Sequence, residues 1–360
     1  MKKLLYFEGL PKHVGHIPMN QPFMEIFSKG YEVHTLCLEG WYRELDHKVI
    51  QHTYLDISSK ISHLPFKVQR TVFSVYILKE VHQLCLNMNF DIIIMSTFSY
   101  WVTLLWPFYF KDKNQLWILH HDDLDLSKKW PYKWFFRLFV KRYIHLTLEW
   151  FISIGMKKMY PEIAQNIFEL TNPYRRISFA DADTWDQYSG KMLCICIGRG
   201  ADDSFMNDII AFEKESHILE DNEIYLYFKS QKSKYKSDHI VMSNAYLTDA
   251  EYSGLIKKSS VLFICYEESY HLRLSGQLLD GLSSKKYVIG KDIPIIREFE
   301  KRYPHICRAV ASARDFVAAL CDFKNMDKDS DEFARFLKDH SDEKILKQVQ
   351  FIEEQIGRRG

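Results

Sequence analysis

The chain has 360 residues, 47% of them hydrophobic and 26% charged, and its 48 Lys and Arg against 47 Asp and Glu leave a formal net charge of +1. This composition is typical of a globular protein and excludes disordered, collagen-like and linker-dominated chains. The near-zero net charge argues against a protein that binds nucleic acid through a broad basic face.

The seven cysteines are an odd number without a C-x-x-C pair, and most lie in apolar runs such as 193–197. This pattern indicates buried free thiols in a reducing compartment. The first apolar run has only four residues, 4–7, before Glu8, too few for a signal peptide, and no apolar stretch is long enough to span a membrane. We therefore expect a cytoplasmic protein.

Short apolar runs predict two series of strands, at residues 4–7, 33–38, 91–96, 116–120 and 151–154, and then at 192–197, 224–228, 239–242, 261–265 and 287–289. Stretches of helical periodicity, such as 20–28 and 70–88, separate the strands. Strands that alternate with helices indicate crossovers and mostly parallel sheets. The sequence thus predicts an α/β fold with two Rossmann-like domains facing each other across a cleft.

The turn signal Asn172-Pro173 lies between the two series of strands. We expect an N-terminal domain at 1–174, a C-terminal domain at 175–345 and a C-terminal helix or tail at 346–360. The charged stretch from Asp322 onwards has helical periodicity, and we expect it to close the second domain as a solvated helix. In such sheets, ligands bind at the carboxyl ends of the strands.

Two candidate contacts lie at strand ends in the first half. Gly15 and His16 belong to the turn after the first strand, where a glycine lets backbone amides approach a phosphate; the same residues also fit a plain βα turn. His121 follows the strand at 116–120, where an imidazole can contact a ligand or be a histidine satisfied within the core.

The second half has further candidates. Arg199 follows the strand at 192–197, and its guanidinium group can bind a diphosphate or lie exposed on a turn. Ser275 and Gly276 open a helix whose N–H groups attract phosphate, although capping alone also explains Ser275. Asp280, about one turn into that helix, can accept two hydroxyl hydrogen bonds of the kind a ribose offers.

The segment 128–145 contains six Lys or Arg, seven aromatic residues and no acid. A helix here would place Lys129, Lys133, Arg137 and Lys141, each four residues apart, along one face. A basic helix with bulky aromatic faces suits the interface of an anionic membrane. An ordinary helix that packs its aromatic side chains into the first domain explains the pattern equally well.

Together these motifs resemble the retaining glycosyltransferases of GT-B fold, the family 4-like or group 1 enzymes, which include many bacterial surface polysaccharide and lipopolysaccharide enzymes. The resemblance covers nearly the whole chain. The matching segments are 29–33 (entry to the second strand), 121–122 (HD at a strand end), 151–158 (strand and helix before the linker), 172–174 (linker), 198–199 (GR turn) and 275–280 (donor-site loop and helix).

The resemblance implies a hexosyltransferase that moves a sugar, with retention, from a nucleotide-diphosphate sugar to a glycan acceptor, which we expect to be lipid-linked, in surface polysaccharide biosynthesis. Its implied partners are the nucleotide sugar and this acceptor, with no cofactor and no metal ion. The basic aromatic segment adds an anionic membrane surface as a further expected partner, and the net charge leads us to expect no nucleic acid. The implied site residues are Gly15, His16, Arg199, Ser275 and Gly276 for the donor phosphates, Asp280 and Glu268 for the ribose and sugar, and His121 as the catalytic contact to the transferred sugar.

The chain departs from the group's E-x(7)-E pair. Leu272 stands eight residues before Asp280, where the group has its first Glu, and Glu267 or Glu268 can replace that Glu only through a differently shaped loop. Two alternatives stay open: a nucleotide-sugar epimerase of the same fold, and a catalytically inactive homologue that acts as a scaffold or binding protein.

Overall fold

The computed structural model describes residues 1–9, 17–38, 42, 45, 50–55, 65–110, 112–121, 124–177, 183–198, 201–230, 232–267, 272–326 and 330–358. Its strands are β1 Lys3–Glu8, β2 Glu32–Leu38, β3 Ile50–Leu55, β4 Ile92–Ser96, β5 Leu116–His120, β6 Ile144–Leu148, β7 Ile167–Leu170, β8 Met192–Cys196, β9 Ile224–Lys229, β10 Tyr235–Lys236, β11 Ile240–Ser243, β12 Val261–Ile264, β13 Tyr287–Lys291 and β14 Cys307–Val310.

Helices connect most of these strands. The α-helices are α1 Ile17–Phe27, α2 Phe66–Asn87, α3 Trp106–Tyr109, α4 Leu124–Ser127, α5 Tyr132–Phe135, α6 Trp150–Met159, α7 Asp203–Ser216, α8 Ile218–Asp221, α9 Asp249–Lys258, α10 Gly276–Ser283, α11 Pro294–Arg302, α12 Ala313–Lys324, α13 Asp331–Asp339 and α14 Asp342–Gly357. Short 3₁₀ helices span Tyr100–Leu105, Pro161–Asn166 and Asp183–Tyr188, and a π-helical turn spans Phe136–Val140. No helix in the described part of the chain could cross a lipid bilayer.

The chain divides into two compact units. The first contains Met1–Pro173, Leu272–Leu274 and His340–Gly360, and the second contains Tyr174–His271 and Ser275–Asp339. Each unit is built around its own seven-stranded sheet. The α/β class and the two Rossmann-like domains predicted from the sequence are confirmed.

The first sheet is parallel, with the order β3-β2-β1-β4-β5-β6-β7. The second has the order β10-β11-β9-β8-β12-β13-β14 and is parallel except for the antiparallel edge pair β10 and β11. In each sheet, the strand that comes first in the chain pairs with the fourth parallel strand of the same unit. This is the strand order of the dinucleotide-binding Rossmann fold. The point at which the strand order reverses is therefore β1/β4 in the first unit and β8/β12 in the second.

The strand predicted at 151–154 is wrong, because these residues lie inside α6. The strand in this region is β6, whose five residues are all buried between β5 and β7. Its polar residues His145 and Thr147 are buried together with the apolar ones, so β6 is not one of the short apolar runs on which the strand predictions rest.

The C-terminal helix differs from the expectation that it closes the second domain. Contacts group α14 with the first unit, where it packs against α1 and β7. Its buried face consists of Ile345, Val349, Ile352 and Ile356. At its edges Gln348 Oε1 accepts a hydrogen bond from the Thr171 N–H at 2.9 Å, and Tyr31 Oη donates to Glu353 Oε2 at 2.6 Å.

Candidate functional site

The second unit places a helix N-terminus at its strand-order reversal. β12 is followed along the chain by Tyr266 and then by α10, and β8 is followed by Gly198. Because β8 and β12 are parallel neighbours, their carboxyl ends meet at the same edge of the sheet. The segments that follow them form the candidate site.

Ser275 holds the start of α10. Its Oγ accepts a hydrogen bond from the Leu278 N–H at 3.2 Å and lies 3.0 Å from Tyr266 Oη. Capping by Ser275 satisfies Leu278, so the first N–H groups of the helix, on Gly276 and Gln277, are those without an intrahelical partner. Among the described residues, a Cβ added at Gly276 would meet nothing within 4 Å, and a ligand that approached from this side could reach these amides.

Gly198 is required at the end of β8 by close packing. A Cβ at this position would collide with Gln277 Oε1 and would lie 3.1 Å from Tyr266 Oη. Both neighbours are buried, and burial raises the pKa of Tyr266 to about 12, so its hydroxyl stays protonated. Because Gly198, the glycine of the predicted GR turn, has no side chain, the polar groups of Gln277 and Tyr266 can pack beside the end of β8.

Asp280 is 6% exposed and already has two partners. Its Oδ2 accepts hydrogen bonds from Arg175 Nη2 at 3.2 Å and from Tyr252 Oη at 2.8 Å. Burial raises the pKa of the Asp280 carboxyl, and the positive charge of Arg175 opposes this shift. A ribose contact at Asp280, as the sequence predicts, would be made in addition to these two bonds.

The first unit has a buried polar cluster at its own reversal, at the ends of β1 and β4. Asn20 Oδ1 accepts from Tyr6 Oη at 2.7 Å and from Ser96 Oγ at 3.1 Å, and Asn20 Nδ2 donates to Glu8 Oε1. Just beyond β4, Thr97 has a φ of 63°, a left-handed conformation rare for a β-branched residue. Its carbonyl accepts the Gly9 N–H at 3.0 Å, which links the two strand ends.

His121 lies directly after β5 and is 7% exposed. Its neighbour His120 points elsewhere in the core, with its Nε2 2.9 Å from Nδ1 of His145 and the two rings stacked. Burial lowers the pKa of His145 well below its usual value, and His120 adds to this effect. This pairing therefore favours a neutral His145. His120 belongs to the pair, whereas His121 lies just beyond the end of β5.

Several predicted site residues lie outside the described part of the chain. These are Gly15, His16, Arg199 and Glu268. The structure does bring Ser275 and Gly276 to one helix start, with Asp280 in the same helix. Among the described residues, no group of three or more His, Cys, Asp or Glu side chains could hold a metal ion.

The basic aromatic segment forms a shorter helix than predicted. The helix begins at Tyr132, continues through a π-helical turn to Val140, and gives way to β6. Lys129 precedes it and Lys141 follows it, because Pro131 suits the start of a helix rather than its interior and residues from Ile144 join the sheet. Lys129, Lys133 and Arg137 are exposed.

Sequence reasoning missed Arg175, Tyr252, Tyr266 and Gln277. Arg175 and Tyr252 lie 105 and 28 residues from Asp280, so no local motif connects them to it. Gln277 directly follows the predicted Ser275-Gly276 pair, and a polar residue within an otherwise apolar helix start was the available signal.

No family model matches the chain, and no curated protein matches it in sequence. Solved structures do match in fold. A glycosyltransferase from Rickettsia africae is 13% identical, with 100% of each chain covered and a TM-score of 0.67. An inferred UDP-N-acetylglucosamine 2-epimerase from Listeria monocytogenes is 11% identical, with 100% of this chain and 98% of that chain covered and a TM-score of 0.60.

WaaG, a glycosyltransferase involved in lipopolysaccharide biosynthesis, is 10% identical, with 99% of this chain and 100% of that chain covered and a TM-score of 0.57. At these identities the likeness establishes architecture over the full length of the chain. Two Rossmann-ordered sheets in two units agree with it. The chain therefore has the GT-B fold that these glycosyltransferases share.

Proposed function

We propose that this protein is a glycosyltransferase that uses a nucleotide-diphosphate sugar. The observation that carries the proposal is the start of α10, a Ser-capped helix N-terminus at which no described residue crowds Gly276, at the strand-order reversal of the second unit. Unpartnered amides and the positive end of a helix dipole bind a diphosphate at such a position. The GT-B fold and the glycosyltransferases among its structural relatives support the same class of reaction.

In the proposed reaction the nucleoside diphosphate is the leaving group. As its bond to the sugar breaks, negative charge grows on the phosphate oxygens, and the α10 amides with Arg199, Gly15 and His16 stabilise that charge without a metal ion. His121 contacts the transferred sugar. Retention at the anomeric carbon rests on the sequence resemblance.

We further propose a lipid-linked glycan acceptor, approached at an anionic membrane surface in polysaccharide biosynthesis. The basic aromatic segment and its neighbours expose large apolar side chains: Trp130 is 86% exposed, Phe108 73%, Leu138 53%, Trp101 52% and Trp134 51%. Trp101 and Trp134 both contact the Phe135 ring, at 4.9 and 5.2 Å between centroids. Exposed tryptophans interleaved with lysine and arginine suit a headgroup interface.

Calorimetry against UDP, GDP, ADP and CMP tests the central proposal. We expect one nucleoside diphosphate to bind and the matching nucleotide sugar to be consumed only when an acceptor is present. His121→Ala and Arg199→Ala should both lose transfer activity. Consumption of the donor with no acceptor would favour the epimerase, and binding of none of the four nucleotides would favour a scaffold.

Liposome flotation tests the membrane surface. Changing Lys129, Lys133, Arg137 and Lys141 together to Glu should abolish binding to vesicles containing phosphatidylglycerol, because attraction contributes about 1 kcal/mol per basic residue. The matched control changes four exposed lysines of the second unit to Glu: Lys232, Lys234, Lys236 and Lys257. Equal binding by the two variants would contradict the proposed membrane surface.

A further inference from the structure

The side chain of Gln277 has an unusual environment at the start of α10. The residue is 5% exposed, and its Nε2 has no hydrogen-bond partner among the described residues. Buried polar side chains are nearly always hydrogen-bonded, and one without a partner destabilises the fold. Such a side chain is unusual in a helix whose other buried side chains are mostly apolar. A bound ligand that accepts a hydrogen bond from Gln277 Nε2 would satisfy it.

The position of the Gln277 side chain indicates where a ligand would meet its amide. Gln277 Oε1 lies against the Gly198 backbone at the end of β8, and the Gly198 position has no room for a Cβ because of it. The amide therefore lies between the end of β8 and the first turn of α10. A half-turn about the Cγ–Cδ bond exchanges its two ends, so its donor can be presented on either side.

The surrounding groups favour an anion. The Gly276 and Gln277 N–H groups lack intrahelical partners, and no described residue lies within 4 Å of a Cβ placed at Gly276. The carboxylate in the same helix, Asp280, is paired with Arg175 at 3.2 Å. A neutral amide donor added to helix N–H groups completes a set of donors for phosphate oxygens.

We infer that the Gln277 side-chain amide donates a hydrogen bond to the diphosphate of the nucleotide bound at α10. This inference rests on the proposed function and adds to it a specific phosphate contact from a side chain. The buried Gln277 amide would then lower the stability of the protein without nucleotide. Its N–H donor would be hydrogen-bonded only when the nucleotide is bound.

Gln277→Met separates binding from stability, because methionine keeps the length and volume of the side chain and removes the donor. We expect the nucleoside diphosphate identified by calorimetry, and inorganic pyrophosphate as its competitor, to bind about 10- to 100-fold more weakly. Binding of the corresponding nucleoside should be unchanged. The melting temperature without ligand should rise by about 2 to 4 °C, since an unsatisfied buried amide is removed.

Gln348→Met is the matched control. Gln348 accepts from the Thr171 N–H and donates to Thr171 Oγ1, at 2.9 and 3.1 Å, within the first unit. Its replacement should lower the melting temperature and leave nucleotide binding unchanged. Gln277→Glu, which keeps the shape and adds a negative charge, should weaken diphosphate binding more than Gln277→Met does.

The outcomes distinguish the two proposals. If the unaltered protein binds a nucleoside diphosphate and Gln277→Met binds it equally well, the inference about Gln277 is wrong and the proposed function stands. Failure of the unaltered protein to bind any nucleoside diphosphate overturns both. Equal loss of nucleoside and diphosphate binding, or failure of both Gln277 variants to fold, would show that Gln277 has a structural role.

Discussion

Asp280 shows how burial changes the role of a residue that the sequence singles out. The sequence presents it as a free carboxylate, whereas in the structure it is buried and bonded to Arg175 and Tyr252. Arg175 also stacks on the Tyr252 ring, with its Cζ 5.1 Å from the ring centroid. The three side chains join the segment after Pro173, α9 and α10, so Asp280 has a positioning role in the second unit whether or not it also meets a ribose.

The raised pKa of Asp280 predicts a pH dependence of stability. Above its usual pKa of 3.8 the unfolded chain loses this proton while the folded chain still holds it. The free energy of unfolding therefore falls as pH rises from about 4 to the raised folded-state pKa, by up to about 1.4 kcal/mol per pH unit, and this contribution is constant above it. Asp280→Asn lacks the contribution, so its stability relative to the unaltered protein should increase with pH across that window.

Urea unfolding between pH 4 and 8 measures this difference. Trp185 is the one tryptophan of residues 174–339, so ¹⁹F NMR of chain labelled with fluorotryptophan reports on the second unit separately. Asp208→Asn, at an exposed position of α7, is the control for the loss of a carboxylate that is not buried, and the pH dependence of Asp280→Asn is read against it. A constant difference for Asp280→Asn would contradict the buried-carboxyl explanation.

Among the secondary structure elements, the strands that are mostly apolar could be predicted from the sequence, whereas β6 could not. β4, β5, β8 and β12 consist almost entirely of apolar residues and lie where the pattern places them. β6 carries two polar residues, His145 and Thr147, that are buried between β5 and β7, and this burial does not follow from its own five residues. The start of α10 could be predicted because Ser-Gly is a local cap signal, whereas the partners of Asp280 come from distant parts of the chain.

The end of β1 provides a test of packing between elements. A Cβ at Gly9 would lie 2.6 Å from the backbone oxygen of Thr97 and 3.1 Å from Met95 Sδ. The backbone after β4 cannot retreat easily, because Thr97 already has a positive φ. Gly9→Ala should therefore lower the free energy of unfolding of the first unit by about 1 to 3 kcal/mol.

The same change at Gly357 is the control for Gly9→Ala. A Cβ at Gly357, near the end of α14, would meet no atom of the described residues within 4 Å, so Gly357→Ala should leave stability unchanged or slightly raised. Chemical denaturation of the two variants, followed by the tryptophans of the first unit, measures the contrast. Equal stability of the two alanine variants would show that the ends of β1 and β4 are not closely packed.

At the scale of the whole molecule, each compact unit is assembled from segments that are not consecutive in the sequence. The chain leaves the first unit after Pro173, contributes only Leu272–Leu274 to it in between, and returns to it at His340. At the return, His340 Nε2 lies 3.3 Å from Glu149 Oε1, and the same carboxylate oxygen accepts the Asn172 N–H at 3.0 Å. Periodicity predicts that α14 is a helix but cannot tell which sheet it packs near, because either unit could cover its apolar face.

This arrangement predicts that the first unit needs its C-terminal helix. A fragment of residues 1–173 would expose the surface that Ile345, Val349, Ile352 and Ile356 cover, at about 1.5 to 3 kcal/mol per side chain, a large fraction of a domain's stability. We expect the fragment alone to melt without a cooperative transition and a peptide of residues 340–358 to restore one. The same peptide with Val349→Asp should fail, because position 349 is fully buried, whereas Phe351→Asp, at a 56% exposed position of the same helix, should still restore it. Near-ultraviolet circular dichroism during thermal melts measures the restoration, and a cooperative transition in the fragment without peptide would contradict the assignment of α14 to the first unit's core.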